Sequence, residues 1–302
     1  MLASVMVLTK NEECNVGTCL KAVFSQEASF EYEVIVIDSG STDNTVEIAS
    51  SFPVRLYRIT AEEFHHAWTR NYAAGLARGD ILVYLVADAF PVSRFWLQGL
   101  LENFADPSVG AVYGRQIPKP GSRMERRQML GTLYGEVRIV KEPATRAKLG
   151  YRFYLFSDAN SAIRKEVWRQ TRFPEELRVF EDVGIAKRIL DSGWKIVYEP
   201  KAAVYHSHNH SAAALFRRYF DIGVVYQRLH IWDDAFGVSM RQTGWRLFRE
   251  RLSLLHHRTN WQELLTTAFY DLLKFAGMQL GKNERLLPLA VKKRLSAFRL
   301  FG

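Results

Sequence analysis

A chain of 302 residues with 48% hydrophobic and 24% charged side chains reads as one large or two modest globular domains, long enough to bury a core without staples. Its two cysteines, Cys14 and Cys19, lack the spacing of a zinc site or a disulfide framework. The formal net charge of +9 is uneven: residues 1–211 hold 26 basic against 25 acidic side chains, and residues 212–302 hold 15 against 7.

"SVMVL" at residues 4–8 reads as a short buried strand. "TKNEE" follows at once, so the start does not read as a signal peptide. "EECNVGTCLKAVFSQ" has helical spacing, and "YEVIVID" is a second strand that ends in "SGSTDNT". Ser41 or Asp43 can cap the next helix, "TVEIASSF". "VRLYRI" is a third strand. "HAWTRNYAAGLARG" is a helix closed by Gly79 as its C-terminal cap. "DILVYLVA" is a fourth strand, blocked beyond by Pro91, and "SRFWLQGLLENF" is the helix after it.

Alternating strands and helices predict βαβ units and a mostly parallel sheet covered on both faces. In such sheets ligands bind beyond the carboxyl ends of the strands. Thr9, Lys10, Asn11 and Glu12 follow the first strand, Asp38 and Ser39 the second, and Asp88 the fourth. All three clusters fall on one rim. Asp88, flanked by two alanines, has to be hydrated, paired or bound to a cation, because a dry unpaired carboxylate is very costly.

Residues 118–156 read as a loop and helix region. "SDANSAIRKEVW" is a strand leading into a helix, and "VFEDVGIAKRILDSG" is a helix with Glu181 and Asp182 in its first turn. "KIVYEPKAAVYHSHNHS" reads as two short strands. His206 and His208 share a face if that segment stays extended, and His210 only if the strand continues. Trp168, Trp194 and Tyr198 are expected in the core. Residues 212–302 read as helices, with apolar stripes in "AALFRRYFDIGVVYQRLH" and "WQELLTTAFYDLLKFAGMQL". No apolar run of about 18 residues occurs, so no spanning helix is expected. GxGxxG, GxxxxGK[ST] and GxSxG are all missing, which disfavours dinucleotide enzymes, P-loop hydrolases and α/β-hydrolases.

"LTKNEE", "VIDSGSTDNT", "FHHAWTRNYAAGLARGDILVYLVADAFP", "FEDVGIAKRIL" and "YHSHNHS" together resemble the family 2 glycosyltransferases of GT-A fold, and more narrowly their bacterial rhamnosyltransferase group. The resemblance covers about residues 3–222. It implies a GT-A-type α/β domain at 1–211, with a mostly parallel sheet flanked by helices, and a basic helical extension at 212–302. It also implies inverting transfer of a sugar from a nucleoside diphosphate donor with Mg²⁺ or Mn²⁺. The donor implied is dTDP-rhamnose. A UDP-hexose is the alternative, and a non-catalytic nucleotide or lipid-surface binding protein of the same fold is the rival from another class.

By the same resemblance, Asp38 accepts hydrogen bonds from the base or ribose, with Thr9 and Glu12 bordering the nucleotide. Arg70 reaches the base or diphosphate, or else pairs with a neighbouring acid. Many members carry Asp-x-Asp where this chain has Val86-Ala87-Asp88. Asp88 then contacts the donor as the motif's sole carboxylate ligand of the metal, with His206 or His208 completing the shell or binding the diphosphate. Asp182 is the base that takes the acceptor proton, and Glu181 orients the acceptor.

The expected acceptor is a lipid-linked saccharide, at the cytoplasmic face of the cell membrane. "LFRRYF", "WRLFRERLSLLHHR" and "AVKKRLSAFRLF" mix basic residues with Phe, Trp and Leu. They suit peripheral contact with anionic lipid, packing on the first domain, or a second copy in a homo-oligomer. No motif supports nucleic-acid binding.

Overall fold

The computed structural model describes residues 2–122, 131, 133–232 and 261–301. The stretch "WRLFRERLSLLHHR" and part of the loop and helix region at 118–156 lie outside the described residues. The described residues of 1–120, 130–145 and 154–207 form one compact unit, and those of 121–129, 146–153 and 208–302 form a second.

The first unit holds one nine-stranded sheet. Its strands are β1 (Leu2–Thr9), β2 (Glu31–Asp38), β3 (Arg55–Arg58), β4 (Ile81–Val86), β5 (Phe90–Pro91), β6 (Val109–Ile117), β7 (Ile139–Lys141), β8 (Asn160–Arg164) and β9 (Lys195–Tyr205). The order is β3-β2-β1-β4-β8-β6-β9-β5, with β7 pairing to β9. β1 pairs in parallel with β2 and β4, β2 with β3, and β6 with β9. β8 runs antiparallel between β4 and β6. The carboxyl ends of β1, β2, β4, β6 and β9 therefore share one edge, and the amino end of β8 joins them. The chain reverses its build direction between β1 and β4, which opens a crevice at that edge.

The strands are apolar on both faces because helices cover them. Helix α1 (Val16–Phe24) buries Val16, Cys19, Leu20 and Val23, a spacing of three and four that makes one stripe. They pack in one core with Val5, Val7, Val36 and Leu85 of the sheet, and with Trp96, Leu97 and Leu100 of α4 (Trp96–Leu101). Also in this unit are α2 (Thr45–Ser50), α3 (His66–Leu76), α5 (Lys165–Thr171) and α6 (Glu181–Asp191). Cys14 is exposed, and neither cysteine is bonded. Trp168 and Tyr198 are buried, as expected.

Three local expectations are corrected. Gly79 does not cap α3, which ends at Leu76 with Ala77 as its C-cap. A Cβ at position 79 would sit 2.7 Å from Leu2 O and Ser4 N, so glycine is there to let the turn press against β1. "KIVYEPKAAVY" is one strand rather than two, with an irregular register opposite Gly114–Gln116 that absorbs its central proline. That strand stops at Tyr205, so the histidines after it do not alternate along a pleat.

In the second unit, α7 (Ala212–Arg228) packs along α8 (Trp261–Lys282), and α9 (Leu289–Leu295) follows. Gly223, Gly277 and Gly281 line the α7–α8 seam. A Cβ at Gly281 would lie 2.0 Å from Phe220 O, so the two backbones are in direct contact. Asp221 accepts from Ala297 N and Phe298 N at 2.7 and 3.0 Å and ties the last residues to α7. No helix among the described residues is long and apolar enough to cross a membrane.

Candidate active site

The edge described above carries two polar groupings. The first begins where β1 and β2 end side by side, with Thr9 opposite Asp38 in the register. Asp38 is fully buried. Its Oδ2 accepts from Gly40 N at 3.2 Å and Ser41 N at 3.1 Å, and Arg58 Nε lies 3.8 Å away. Asp38 Oδ1 and Thr9 Oγ1 are buried and have no hydrogen-bond partner among the described residues. An acceptor left so costs about 1–3 kcal/mol. A ligand donor entering this corner would remove that cost.

Glu12 starts the turn into α1. Its backbone N–H donates to Thr45 Oγ1 at 2.7 Å, and its carboxylate accepts from Asn15 Nδ2 at 2.6 Å. Burial pushes the Glu12 carboxyl up and the charge of Asp88 adds to the rise, against the bond from Asn15. Asp43 accepts from Thr45 N at 3.0 Å and from Glu13 N at 3.2 Å; the N-cap of α2 is Asn44 and makes no side-chain cap bond, so Asp43 braces the entry to the helix without being its cap.

Asp88, buried just past β4, faces an ammonium and an imidazole. Lys119 Nζ lies 3.3 Å from Oδ2, and His206 Nε2 lies 3.6 Å from Oδ1. Lys119 follows β6 and His206 follows β9, so the ends of β4, β6 and β9 converge here. His208, two residues on, belongs to the second unit, where the ring of His210 rests 6.1 Å from its own. The Asp88 oxygen and the His206 nitrogen form a fitting donor pair for a divalent cation.

The second grouping is built on Arg70 of α3, which is buried. Its guanidinium grips Asp158 through Nε and through Nη2 at 3.1 Å. Nη1 reaches Glu181 Oε1 at 3.1 Å and donates to His66 O at 3.0 Å. His66 Nδ1 is 3.8 Å from the same Glu181 oxygen. Asp158 precedes β8, while Glu181 and Asp182 open α6. Phe180, before them, has φ 59°, an uncommon left-handed conformation for an aromatic residue. No side chain of its N-cap residue caps α6, and Asp182 in its first turn accepts from Val183 N at 2.8 Å. Burial, then the charges of Asp158 and Glu181, push the Asp182 carboxyl well above the ordinary range, against Arg70. Burial likewise pushes Asp158 up, to about 6.

Residues 4–171 match the family described as "Glycosyl transferase family 2". The chain belongs to glycosyltransferase family 2. The transferase is 32% identical to O-antigen chain rhamnosyltransferase RfbN of Salmonella typhimurium, over 91% of this chain and 88% of that one. It is also 32% identical to O-antigen chain rhamnosyltransferase WbaN of Salmonella anatum, over 92% and 88%. Among solved structures it resembles the mannosyltransferase PcManGT from Pyrobaculum calidifontis in complex with GDP-Man and Mn²⁺. That likeness has a TM-score of 0.63 at 20% identity and covers 94% of this chain and 87% of that chain. It bears on the fold, and the GT-A architecture expected from the sequence holds.

Sequence reasoning placed Thr9, Glu12, Asp38 and Asp88 of the transferase on one edge, and the structure brings them there. It missed Lys119, Gln116 and Asp158. Gln116 lies at the end of β6 and Lys119 just past it, in a stretch with no motif to mark them. Asp158 reaches the edge because β8 is antiparallel, so its amino end, and not its carboxyl end, points there. Arg70 stands with the acids of α6, bound to Asp158 and Glu181.

Proposed function

We propose that this transferase moves L-rhamnose from dTDP-rhamnose, with inversion, onto a growing lipid-linked surface glycan such as O-antigen or capsule. The observation that carries the reading is similarity over nine-tenths of the chain to two O-antigen chain rhamnosyltransferases. The reaction class follows from the family; the sugar and acceptor follow from those relatives.

In this reading the orphan oxygens of Asp38 and Thr9 receive N–H or O–H groups of the nucleoside, with Glu12 beside them. Asp88 and His206 would hold a divalent cation, Mg²⁺ or Mn²⁺, which would supply positive charge for the departing diphosphate. Lys119 turns from Asp88 toward that diphosphate. The acceptor oxygen attacks the anomeric carbon as the bond from that carbon to the diphosphate oxygen breaks. The hydroxyl proton passes to Asp182. Glu181 orients the acceptor. We place Arg70 as the cation that steadies Asp158 and Glu181 rather than as a diphosphate contact.

The test is a panel of nucleotide sugars with Mn²⁺, read as thermal stabilisation and then as transfer to a synthetic lipid-linked acceptor. At 100 times its dissociation constant, a ligand stabilises by about 2.7 kcal/mol. dTDP-rhamnose should give the largest shift and the only turnover. A larger shift and turnover with a UDP-hexose would replace the donor assignment, and shifts without turnover would favour a binding protein.

We further propose that 1–211 is the transferase domain and that 212–302 seats it on anionic lipid at the cytoplasmic face. In the second unit, Leu265, Phe269 and Leu272 are exposed along one stripe of α8. Beside them lies a cavity of about 250 Å³ lined by Phe216, Arg217, Phe269, Leu273, Arg294 and Leu295. Apolar side chains flanked by arginines suit an acyl boundary under phosphate groups. Flotation with phosphatidylglycerol vesicles should carry the protein at low salt and lose it at high salt. Phe269→Glu should abolish flotation without lowering Tm. No flotation at any salt, or a dimer that Phe269→Glu dissociates, would assign the face to another partner.

A further inference from the structure

The imidazole of His206 is held from behind. Its Nδ1 lies 2.9 Å from Gln116 Oε1, while its Nε2 faces Asp88. Gln116 is buried at the end of β6. Its amide nitrogen donates to Tyr134 Oη at 3.1 Å and to Ser157 Oγ at 2.8 Å. In this orientation the amide nitrogen lies toward the two hydroxyls and its carbonyl oxygen toward the ring. A carbonyl oxygen only accepts, so Nδ1 opposite it carries the hydrogen. The neutral ring then has its lone pair on Nε2, the atom turned to Asp88. The backbone agrees: His206 N donates to Ile117 O at 2.9 Å, and Lys119 N donates to Ser207 Oγ at 3.0 Å. The end of β6 thus holds the segment after β9 at both main chain and ring.

We infer that Gln116 is a positioning residue for the metal, fixing His206 in its Nδ1–H tautomer so that Nε2 meets the cation beside Asp88. Metal-binding histidines commonly donate their other nitrogen to such an acceptor, and loss of that partner lowers affinity about 10- to 100-fold. Nothing in the stretch "VGAVYGRQIPKP" points to this role, because Gln116 acts through His206, a residue 90 positions further along the chain. The inference rests on the reading that Asp88 and His206 bind the metal, and the variants below separate the two.

The test is Mn²⁺ binding in the presence of dTDP, read by the electron paramagnetic resonance of free Mn²⁺ and by calorimetry, without turnover. Gln116→Met should weaken Mn²⁺ about 10- to 100-fold. Gln116→Glu keeps an acceptor opposite Nδ1 and should restore most of it. A purely structural role would not favour Glu over Met, since a buried carboxylate is the harder group to accommodate. Nitrogen NMR of imidazole-labelled protein without metal should show the Nδ1–H tautomer at His206, so the inference has a readout even where Gln116→Met folds poorly. His206→Ala should lose at least as much affinity as Gln116→Met. If His206→Ala binds Mn²⁺ normally, the metal reading fails at this ligand. If His206→Ala weakens Mn²⁺ but Gln116→Met does not, or if the resting ring is Nε2–H, the role of Gln116 is overturned while the metal reading stands.

Discussion

Asp182→Asn is expected to lower kcat by about 10²- to 10⁴-fold, the usual worth of a positioned base, while donor affinity stays as in the parent. The amide keeps the shape of the side chain and loses only the ability to take a proton, so the loss belongs to the transition state. The same substitution should stabilise the protein at pH 8. Burial and two neighbouring acids hold the Asp182 carboxyl above its ordinary range. The folded state therefore binds this proton more tightly than the unfolded chain does. Below the unfolded value the group is protonated in both states and costs nothing. As pH rises through the folded value the folded state must carry a disfavoured charge, and stability falls. Each unit of elevation is worth about 1.4 kcal/mol, and a change of 1 kcal/mol moves Tm by about 2–4 °C in domains of 150–250 residues. Asn should raise Tm at pH 8 and flatten the slope between pH 5 and 8. In the parent, kcat should climb with pH until Asp182 is ionised, later than for an ordinary carboxylate. Steady-state rates and thermal melts across that range check both. A variant that keeps kcat, or one that melts lower at pH 8, would remove Asp182 from the role of base.

Asp88→Asn is expected to cost about 10²- to 10³-fold in kcat, the scale seen when one preorganised electrostatic stabiliser is removed. It should also lose Mn²⁺ binding in the presence of dTDP. The carboxylate lies between Lys119 and His206 at the end of β4, and its neutral isostere leaves strand and core untouched. Circular dichroism should be unchanged. A folded Asp88→Asn variant with the parent's metal titration would show that the carboxylate is only a partner for Lys119.

Much of the edge was legible in the chain. Thr9, Asp38 and Asp88 each terminate an apolar run, and parallel strands have to end on the same side. The acids of α6 were legible as a first-turn pair. The direction of β8 was not, because a five-residue strand, NSAIR, does not encode its orientation, and Asp158 was lost with it. Arg70 was read as a contact of the base or diphosphate or as the partner of a neighbouring acid, because the spacing of α3 gives its face but not what that face meets. Its guanidinium meets Asp158 and Glu181, one brought 88 residues along the chain and the other from the start of α6. The histidines were read as a pleated row. The chain leaves the sheet at Tyr205, and it is the bonds from β6 that hold His206 in place.

The strand order also constrains when this protein can become active as it is made. β1 to β4 are neighbours drawn from the first 86 residues, so the corner holding Thr9 and Asp38 can form while most of the chain is still to be synthesised. β6 acquires its parallel partner only when residues 195–205 exist, and Asp88 meets His206 only after that. Long-range parallel pairing is slow and leaves strand edges open in the meantime. A nascent chain stalled before β9 therefore carries the Thr9–Asp38 corner without His206 beside Asp88, and an exposed edge at β6 that invites aggregation.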